Sequence, residues 1–243
     1  MIKFNKKFWD NLPSGHYDKT FSQDIQENNI KYLWHYLTFI NQKKFLKPNI
    51  KHLDFACGPG TLIGVFSESK SIGFDPAKNQ IQYAVKNYQS KNKIFTSNIE
   101  DIYKHKDFNL ITINGLFEYL DLEEINTLLK ELENAYEENC KFIITTPNYG
   151  GAFRLVEYIS TKLNIIDYKD VNKSRFSHSS LKSLFGENKY KNLKIKKIVN
   201  IGVLFGFING KLAIYIEKLI EKIFVNKFGF ILMVEFDLIK NEK

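Results

Sequence analysis

Residues 53–62 read LDFACGPGTL and residues 71–75 read SIGFD, which places Asp75 seventeen positions after Gly58. An apolar strand runs into a glycine turn, a helix follows, and a second short strand ends on a carboxylate. This is the order of the first βαβ unit of a nucleoside-binding α/β sheet, where the ligand lies across the carboxyl ends of the strands. Gly58 and Gly60 let the backbone turn tightly and approach a ligand with no Cβ in the way. Asp75 stands where an acidic side chain accepts hydrogen bonds from ribose hydroxyls. An ordinary glycine-containing βα turn would carry the glycines without an acid at that distance.

Two details choose between nucleoside ligands. The dinucleotide fingerprint G-x-G-x-x-G/A needs Gly or Ala at position 63, which is Ile63, and the next glycine is Gly64. Pro59 removes one backbone N–H from the turn, and a pyrophosphate cradle depends on such groups. A sulfonium nucleoside has no phosphate and tolerates the loss. The stretch resembles motif I of class I S-adenosylmethionine (SAM) dependent methyltransferases, with Asp75 matching the acid that ends their second strand.

The resemblance continues downstream. Pro76 and a helical pattern (Ile81, Ala84, Val85, Tyr88) follow Asp75, and residues 93–97 (KIFTS) read as a third strand. In the family the turn after this strand contacts adenine through a polar side chain and an adjacent amide, positions matched by Asn98 and Ile99. Residues 108–116 (FNLITINGL) read as a fourth strand, and Phe117-Glu118-Tyr119-Leu120 is similar to the family's LEHL element, with Tyr119 in the histidine place. Asp121 and Glu124 have the spacing of a capping box for a helix expected over Asp121 to Glu138. Residues 141–145 (KFIIT) form a fifth strand, and Thr146-Pro147-Asn148 is similar to the family's turn after it. Residues 193–201 and 228–239 supply two further strands.

Alternating strands and helices predict an α/β fold with a parallel sheet. The resemblance implies a Rossmann-like three-layer sandwich, with a mostly parallel seven-stranded sheet, an antiparallel last strand beside the fifth, and an N-terminal helical cap. One methyltransferase domain is expected over 1–243: a cap (1–47), a cofactor core (48–148), and an acceptor-side insertion with C-terminal strands (149–243). The best match runs from about Ile50 to Asn148 and is similar to ubiquinone-biosynthesis-type small-molecule and glycan methyltransferases.

Composition bounds the alternatives. The 243 residues suffice for one substantial core, and the net charge is +8. Residues 101–150 hold ten acidic and four basic side chains, whereas 151–200 hold four acidic and eleven basic. The basic block includes Lys189, Lys191, Lys194, Lys196 and Lys197, whose alternation reads as a solvated strand face rather than a nucleic-acid groove. The place after the fourth strand reads Asn114-Gly115-Leu116-Phe117, not the [DN]-P-P-[YFW] motif of amino-methylating nucleic-acid enzymes. No nucleic-acid partner is expected. Cys57 and Cys140 lack metal spacing and are expected reduced and structural. No metal is expected. The N-terminus lacks a secretory h-region, and no run approaches the ~18 apolar residues of a membrane span, so the expected location is cytoplasmic.

Three segments outside the core should choose the acceptor. In the N-terminal stretch, Tyr17 or His16 is placed to reach the cofactor from a lid, while Trp34 is expected to cover the sheet. Residues 149–177 should wall the acceptor pocket. In residues 202–227, Leu212, Tyr215, Ile216, Leu219, Ile220 and Ile223 form an apolar stripe with Glu217, Lys218, Glu221 and Lys222 opposite, predicting a helix packed on the sheet. The apolar GVLFGFI before it leaves contact with a lipid-linked acceptor or membrane open.

The expected activity is in-line methyl transfer from SAM, giving S-adenosylhomocysteine, to oxygen of a small molecule or a sugar or glycan intermediate. By resemblance the cofactor residues are Asp54, Ala56, Cys57, Gly58, Gly60, Asp75, Pro76, Asn98, Ile99, Asn114 and Tyr17. A hydroxyl acceptor needs a base, and His178, Glu118 and Tyr119 are the candidates; His16, His35, His52 and His105 form no pattern. The alternatives are a SAM-binding partner without catalysis, a nucleic-acid methyltransferase, and a nicotinamide-dependent oxidoreductase.

Overall fold

The computed structural model describes residues 12–16, 18, 29–136, 139–162, 172–186 and 190–239. Seven strands form one sheet: β1 (Lys51–Phe55), β2 (Lys70–Phe74), β3 (Lys93–Thr96), β4 (Leu110–Asn114), β5 (Asn139–Pro147), β6 (Tyr190–Ile198) and β7 (Ile231–Ile239). Their order across the sheet is β3-β2-β1-β4-β5-β7-β6, with β7 antiparallel to both β5 and β6 and the other pairs parallel. The chain moves outward from β1 to β3, then returns to the centre at β4 and moves the other way. The carboxyl ends of β1 and β4 therefore flank a topological switch point, where open α/β sheets bind ligands.

Helices cover both faces: α1 (Ile30–Lys43), α2 (Lys78–Tyr88), α3 (Glu100–Tyr103), α4 (Leu122–Leu132), α5 (Phe153–Lys162), α6 (His178–Leu184) and α7 (Gly210–Ile223). In α4, Ile125, Leu128, Leu129 and Leu132 are buried at i, i+3, i+4 and i+7, the stripe that a core-facing helix requires. Asp121 and Glu124 close the expected capping box, satisfying N–H groups that the first turn cannot. This stripe packs on one sheet face with Phe117, Phe142, Phe185 and Phe236; Phe142 and Phe236 are register partners whose rings stack at 5.2 Å. Each such side chain contributes about 1.5–3 kcal/mol when withdrawn from water. On the other face Leu33 and Leu37 of α1 pack against Ile143, Ile231 and Met233. Trp34 covers this face as expected, stacking on Phe230 at 5.7 Å.

Several expectations change. The helix after the glycine turn is one wide π-type turn, Leu62–Phe66. Gly64 lies so close to the Tyr88 ring that a Cβ would meet it at 2.4 Å, and β2 begins only four residues after the turn ends. The acidic helix α4 stops at Leu132 and gives way to a 3-10 turn, Glu133–Ala135. Thr146 and Pro147 belong to β5 because β7 pairs with them; Pro147 sits at the strand end, where a missing N–H is tolerated. The sixth strand starts at Tyr190 and ends at Ile198, and its exposed Lys191 and Lys194 protect a sheet edge.

The largest correction concerns α7. The helix forms, but Leu212, Tyr215, Leu219 and Ile223 are exposed, whereas Gly210, Ala213 and Glu217 are buried. The apolar stripe faces outward because Glu217 anchors the opposite side. Its Oε1 accepts from the N–H and, at 3.1 Å, the Nδ2 of Asn200.

Candidate functional site

At the end of β1 the backbone turns through Ala56 (φ 63°), Gly58 (φ 53°) and Gly60 (φ 80°), all left-handed. Ala56 holds this conformation despite its Cβ, which marks a site where strain is tolerated. The two glycines serve different ends. A Cβ on Gly60 would lie 2.6 Å from the Phe95 ring and 2.9 Å from Ala84 Cβ, so Gly60 permits close packing. A Cβ on Gly58 would meet nothing within 4 Å, so Gly58 borders open space. Ile63, in the place of a third glycine, is fully buried with Cys57, Ile81, Ala84 and Phe95. Burial, with the charges of Asp75 and Asp54 added, pushes the Cys57 thiol well up, which makes it inert.

Asp75 joins the turn to the second strand. Its Oδ2 accepts from the Gly58 N–H and its Oδ1 from the Ala77 N–H, both at 2.9 Å. Pro76 has no N–H, so the next one, on Ala77, takes the bond just before α2 begins. A cradle that opens at Gly58 and carries a carboxylate at its floor fits the ribose of a nucleoside.

A buried polar string crosses the sheet behind this turn. Thr112 Oγ1 donates to Asp54 Oδ1 at 2.6 Å, and His52 Nε2 lies 2.7 Å from Thr112 Oγ1. The Thr112 proton goes to Asp54, so its lone pair accepts from His52, which is then the neutral Nε2–H tautomer. His52 Nδ1 faces Ser71 Oγ at 3.1 Å. Burial pushes the His52 pKa down to about 3. It pushes Asp54 up to about 7, with hydrogen bonds from Thr112 and Asn114 opposing and the charge of Asp75 adding. Asn114 Oδ1 accepts from Gln42 Nε2 at 2.6 Å and Thr145 Oγ1 at 2.8 Å, which ties α1 to the switch point.

On the side of β3, Asn98 is exposed and its Oδ1 accepts from the Glu100 N–H at 3.2 Å. Ile99 is half-buried against the core. Tyr17 lies outside the described residues, but its neighbours form a latch. Asp18, buried, accepts from Thr61 Oγ1 (2.7 Å), Tyr83 Oη (2.8 Å) and Tyr88 Oη (2.7 Å). Gly15 N–H donates to Gln80 Oε1 at 3.1 Å, and Ser14 Oγ to the Asn79 carbonyl at 3.0 Å. Ser14, Gly15 and Asp18 are thereby fastened to α2 and to Thr61, directly after Gly60.

The acceptor side lies after β4 and β5. Glu118, in the 3-10 turn Phe117–Tyr119, is buried, and Thr146 Oγ1 donates to its Oε2 at 3.1 Å. Burial pushes its carboxyl up to about 7, with hydrogen bonds from its own backbone and Thr146 opposing. Its carbonyl accepts from Lys173 and Ser174 N–H at 2.8 and 3.0 Å, so the 172–177 segment is held against β4. Tyr119 is half-buried. His178 opens α6 behind the Ser177 cap and is half-buried. Asn172 Nδ2 donates to Tyr149 Oη at 2.9 Å, and Tyr149 Oη donates to Glu157 Oε1 at 3.1 Å.

The structure thus joins Gly58 to Asp75 and Asp54 to Asn114. Sequence reasoning passed over Gln42, His52, Thr112 and Asp18. His52 and Thr112 carried a signal, each being polar within a strand whose neighbours are apolar. Asp18 carried none, since its partners come from two distant segments, the glycine turn and α2.

A family profile described as a methyltransferase domain matches residues 25–195. A comparison with curated proteins gave no match. Among solved structures, the chain is similar to a SAM-dependent methyltransferase from Archaeoglobus fulgidus, with 19% identity, TM-score 0.56, and 83% of this chain and 93% of that one covered. It is similar to geranyl diphosphate C-methyltransferase from Streptomyces coelicolor, solved with S-adenosylhomocysteine, at 13% identity and TM-score 0.58, covering 97% and 96%. It is also similar to the plantazolicin methyltransferase BpumL in complex with S-adenosylhomocysteine, at 17% identity and TM-score 0.54, covering 97% and 94%.

Proposed function

The chain belongs to the class I SAM-dependent methyltransferases, and from that premise we propose that it methylates a hydroxyl of a small molecule or a glycan intermediate. One observation carries the cofactor assignment: Asp75 is bonded to Gly58 at the one glycine of the turn that borders open space. In this reading Asp75 accepts from the ribose hydroxyls, Gly58 and Gly60 let the backbone approach, and Asn98 with the Ile99 amide face the adenine. Asp54, Ala56, Cys57 and Asn114 line the strand ends beside them, with Pro76 following Asp75.

Bound SAM supplies a methyl on a sulfonium, which leaves as a neutral thioether. The protein's part is to align an oxygen with that methyl, exclude water and remove a proton. Glu118 suits the last task, because a carboxyl raised to about 7 changes protonation near neutral pH. The Glu118 carboxylate would take the acceptor's hydroxyl proton, which leaves the oxygen free to receive the methyl that bound SAM would supply. Tyr119, next to Glu118 in the same turn, and His178 at the start of α6 are the alternative bases.

Calorimetric titration with SAM, S-adenosylhomocysteine and NAD(H) tests the cofactor. Binding of the two adenosyl compounds without NAD(H) is expected; NAD(H) binding alone would overturn the reading. A screen of hydroxylated acceptors follows, and turnover of any of them excludes a binding protein without catalysis.

A further inference from the structure

The outward face of α7 and the short helical segment before it make one exposed apolar surface. In the 3-10 segment Ile201–Phe207, residues three apart share an edge, and Ile201, Leu204 and Phe207 fall on the exposed one, Phe207 being 72% exposed. On α7 the exposed Leu212, Tyr215, Leu219 and Ile223 recur at three- and four-residue spacing, the pattern of one helix face. This face is fixed by the core side. Glu217 is 1% exposed and bound to Asn200, and a Cβ on Gly202 would lie 2.7 Å from the Glu217 backbone nitrogen. Rolling the helix to bury Leu212 and Leu219 would break the Glu217–Asn200 bonds and leave a buried carboxyl without them.

Charge selects what covers the face. Lys211, Lys218 and Lys222 are all exposed and form a row adjoining the apolar stripe. The two acids of α7, Glu217 and Glu221, sit on the core side, Glu221 half-buried. The exposed sector of α7 thus combines large apolar side chains with lysines and no acid. A symmetric pair of chains meeting through this helix would set one lysine row against the other. A bilayer with anionic headgroups accepts both features, the apolar side chains at the headgroup–acyl boundary and the lysines reaching the phosphates. No described helix is long and apolar enough to cross a membrane.

We propose that the α7 face, with Ile201–Phe207, docks the protein on the interface of an anionic lipid bilayer. The proposal is independent of methyl transfer, and its test needs neither SAM nor acceptor. The full chain is sedimented with vesicles of phosphatidylcholine alone and of phosphatidylcholine mixed with phosphatidylglycerol. The expected result is pelleting with the anionic vesicles, weakened by salt. Replacing Lys211, Lys218 and Lys222 with Gln should lower the partition on the order of 100-fold. The double variant Leu219→Ser, Ile223→Ser should lower it roughly tenfold or more. All five side chains are exposed, so both variants should melt as the parent does. Absence of pelleting with either vesicle, or pelleting untouched by both variants, would overturn the proposal. So would a concentration-dependent dimer that Leu219→Ser, Ile223→Ser abolishes, which would make the face a contact between copies of this chain.

Discussion

The Oδ2 of Asp75 accepts a 2.9 Å hydrogen bond from the Gly58 N–H, so the acid that ends β2 holds the turn that ends β1. The carboxylate is thus both a structural acceptor and the proposed acceptor for ribose hydroxyls. Asp75→Ala removes charge-assisted bonds worth about 1.5–3 kcal/mol each, and SAM affinity should fall roughly 10- to 100-fold or more. Gly58→Ala is the companion: its Cβ meets no protein atom within 4 Å, but the left-handed φ of 53° should cost about 1–2 kcal/mol of stability, and the folded variant should bind SAM poorly because the methyl enters the cradle. Calorimetry with thermal melting separates the two, and unchanged affinity in both variants would remove the cradle from the cofactor site.

Asp18 gathers three hydroxyl donors from Thr61, Tyr83 and Tyr88. Burial and this bond push the Tyr83 hydroxyl up to about 12, so it remains a donor across the working range. Asp18→Ala leaves all three donors without that acceptor and should destabilise the latch by about 1–3 kcal/mol. Limited proteolysis near residues 12–18 should speed up while the sheet stays protected from hydrogen exchange. A variant cleaved at the parent's rate would show that the latch is held elsewhere.

Glu118 titrates near 7 in the fold, against 4.5 for an ordinary glutamate. Between those values the folded chain keeps a proton that the unfolded chain has lost, so this group's contribution to stability declines as pH rises through the interval. Activity should move the other way, rising as the carboxylate appears above about 7. Glu118→Gln should flatten the stability slope and lower turnover by about 10²–10⁴-fold. A pH–rate profile that keeps its rising limb in Glu118→Gln would transfer the base role to another group.

The sheet was legible because its signals are local. LDFACGPGTL, SIGFD and LITIN each state a buried strand or its turn within ten residues, and the Asp121–Glu124 cap announces α4 by spacing alone. Glycine chemistry pointed for the same reason to a tight turn at Gly58 and Gly60, which the backbone makes. What escaped was set by long-range pairing. The outward turn of α7 depends on a buried bond between Glu217 and Asn200, seventeen residues apart, and hydrophobic periodicity reports that a helix has a face without saying which way it points. Asp18 meets Thr61 across forty-three residues, and its partners are threonine and tyrosine, which carry no motif.

His52 gives the last prediction. It is fully buried between Ser71 and Thr112, and burial holds its pKa at about 3 against 6.5 for an exposed imidazole. Below 6.5 the unfolded chain takes up a proton that the folded chain refuses until about 3, so this contribution to stability is present above 6.5 and is lost as pH falls. The loss amounts to about 1.4 kcal/mol per pH unit well inside the interval. Asp54 and Glu118 act in the opposite direction there, so the parent's own profile mixes the effects. His52→Gln isolates one of them. At pH above 7 it should be less stable by about 1–2 kcal/mol, since an amide remakes the bonds to Ser71 and Thr112 imperfectly. As the solution is acidified from pH 6.5 towards 5, the deficit should shrink and then reverse, because the variant has no imidazole to protonate when unfolded. Urea denaturation of both proteins across that range reads the difference directly. A deficit that stays constant would mean that the folded chain carries His52 protonated, and the neutral tautomer that links Thr112 to Asp54 would have to be abandoned.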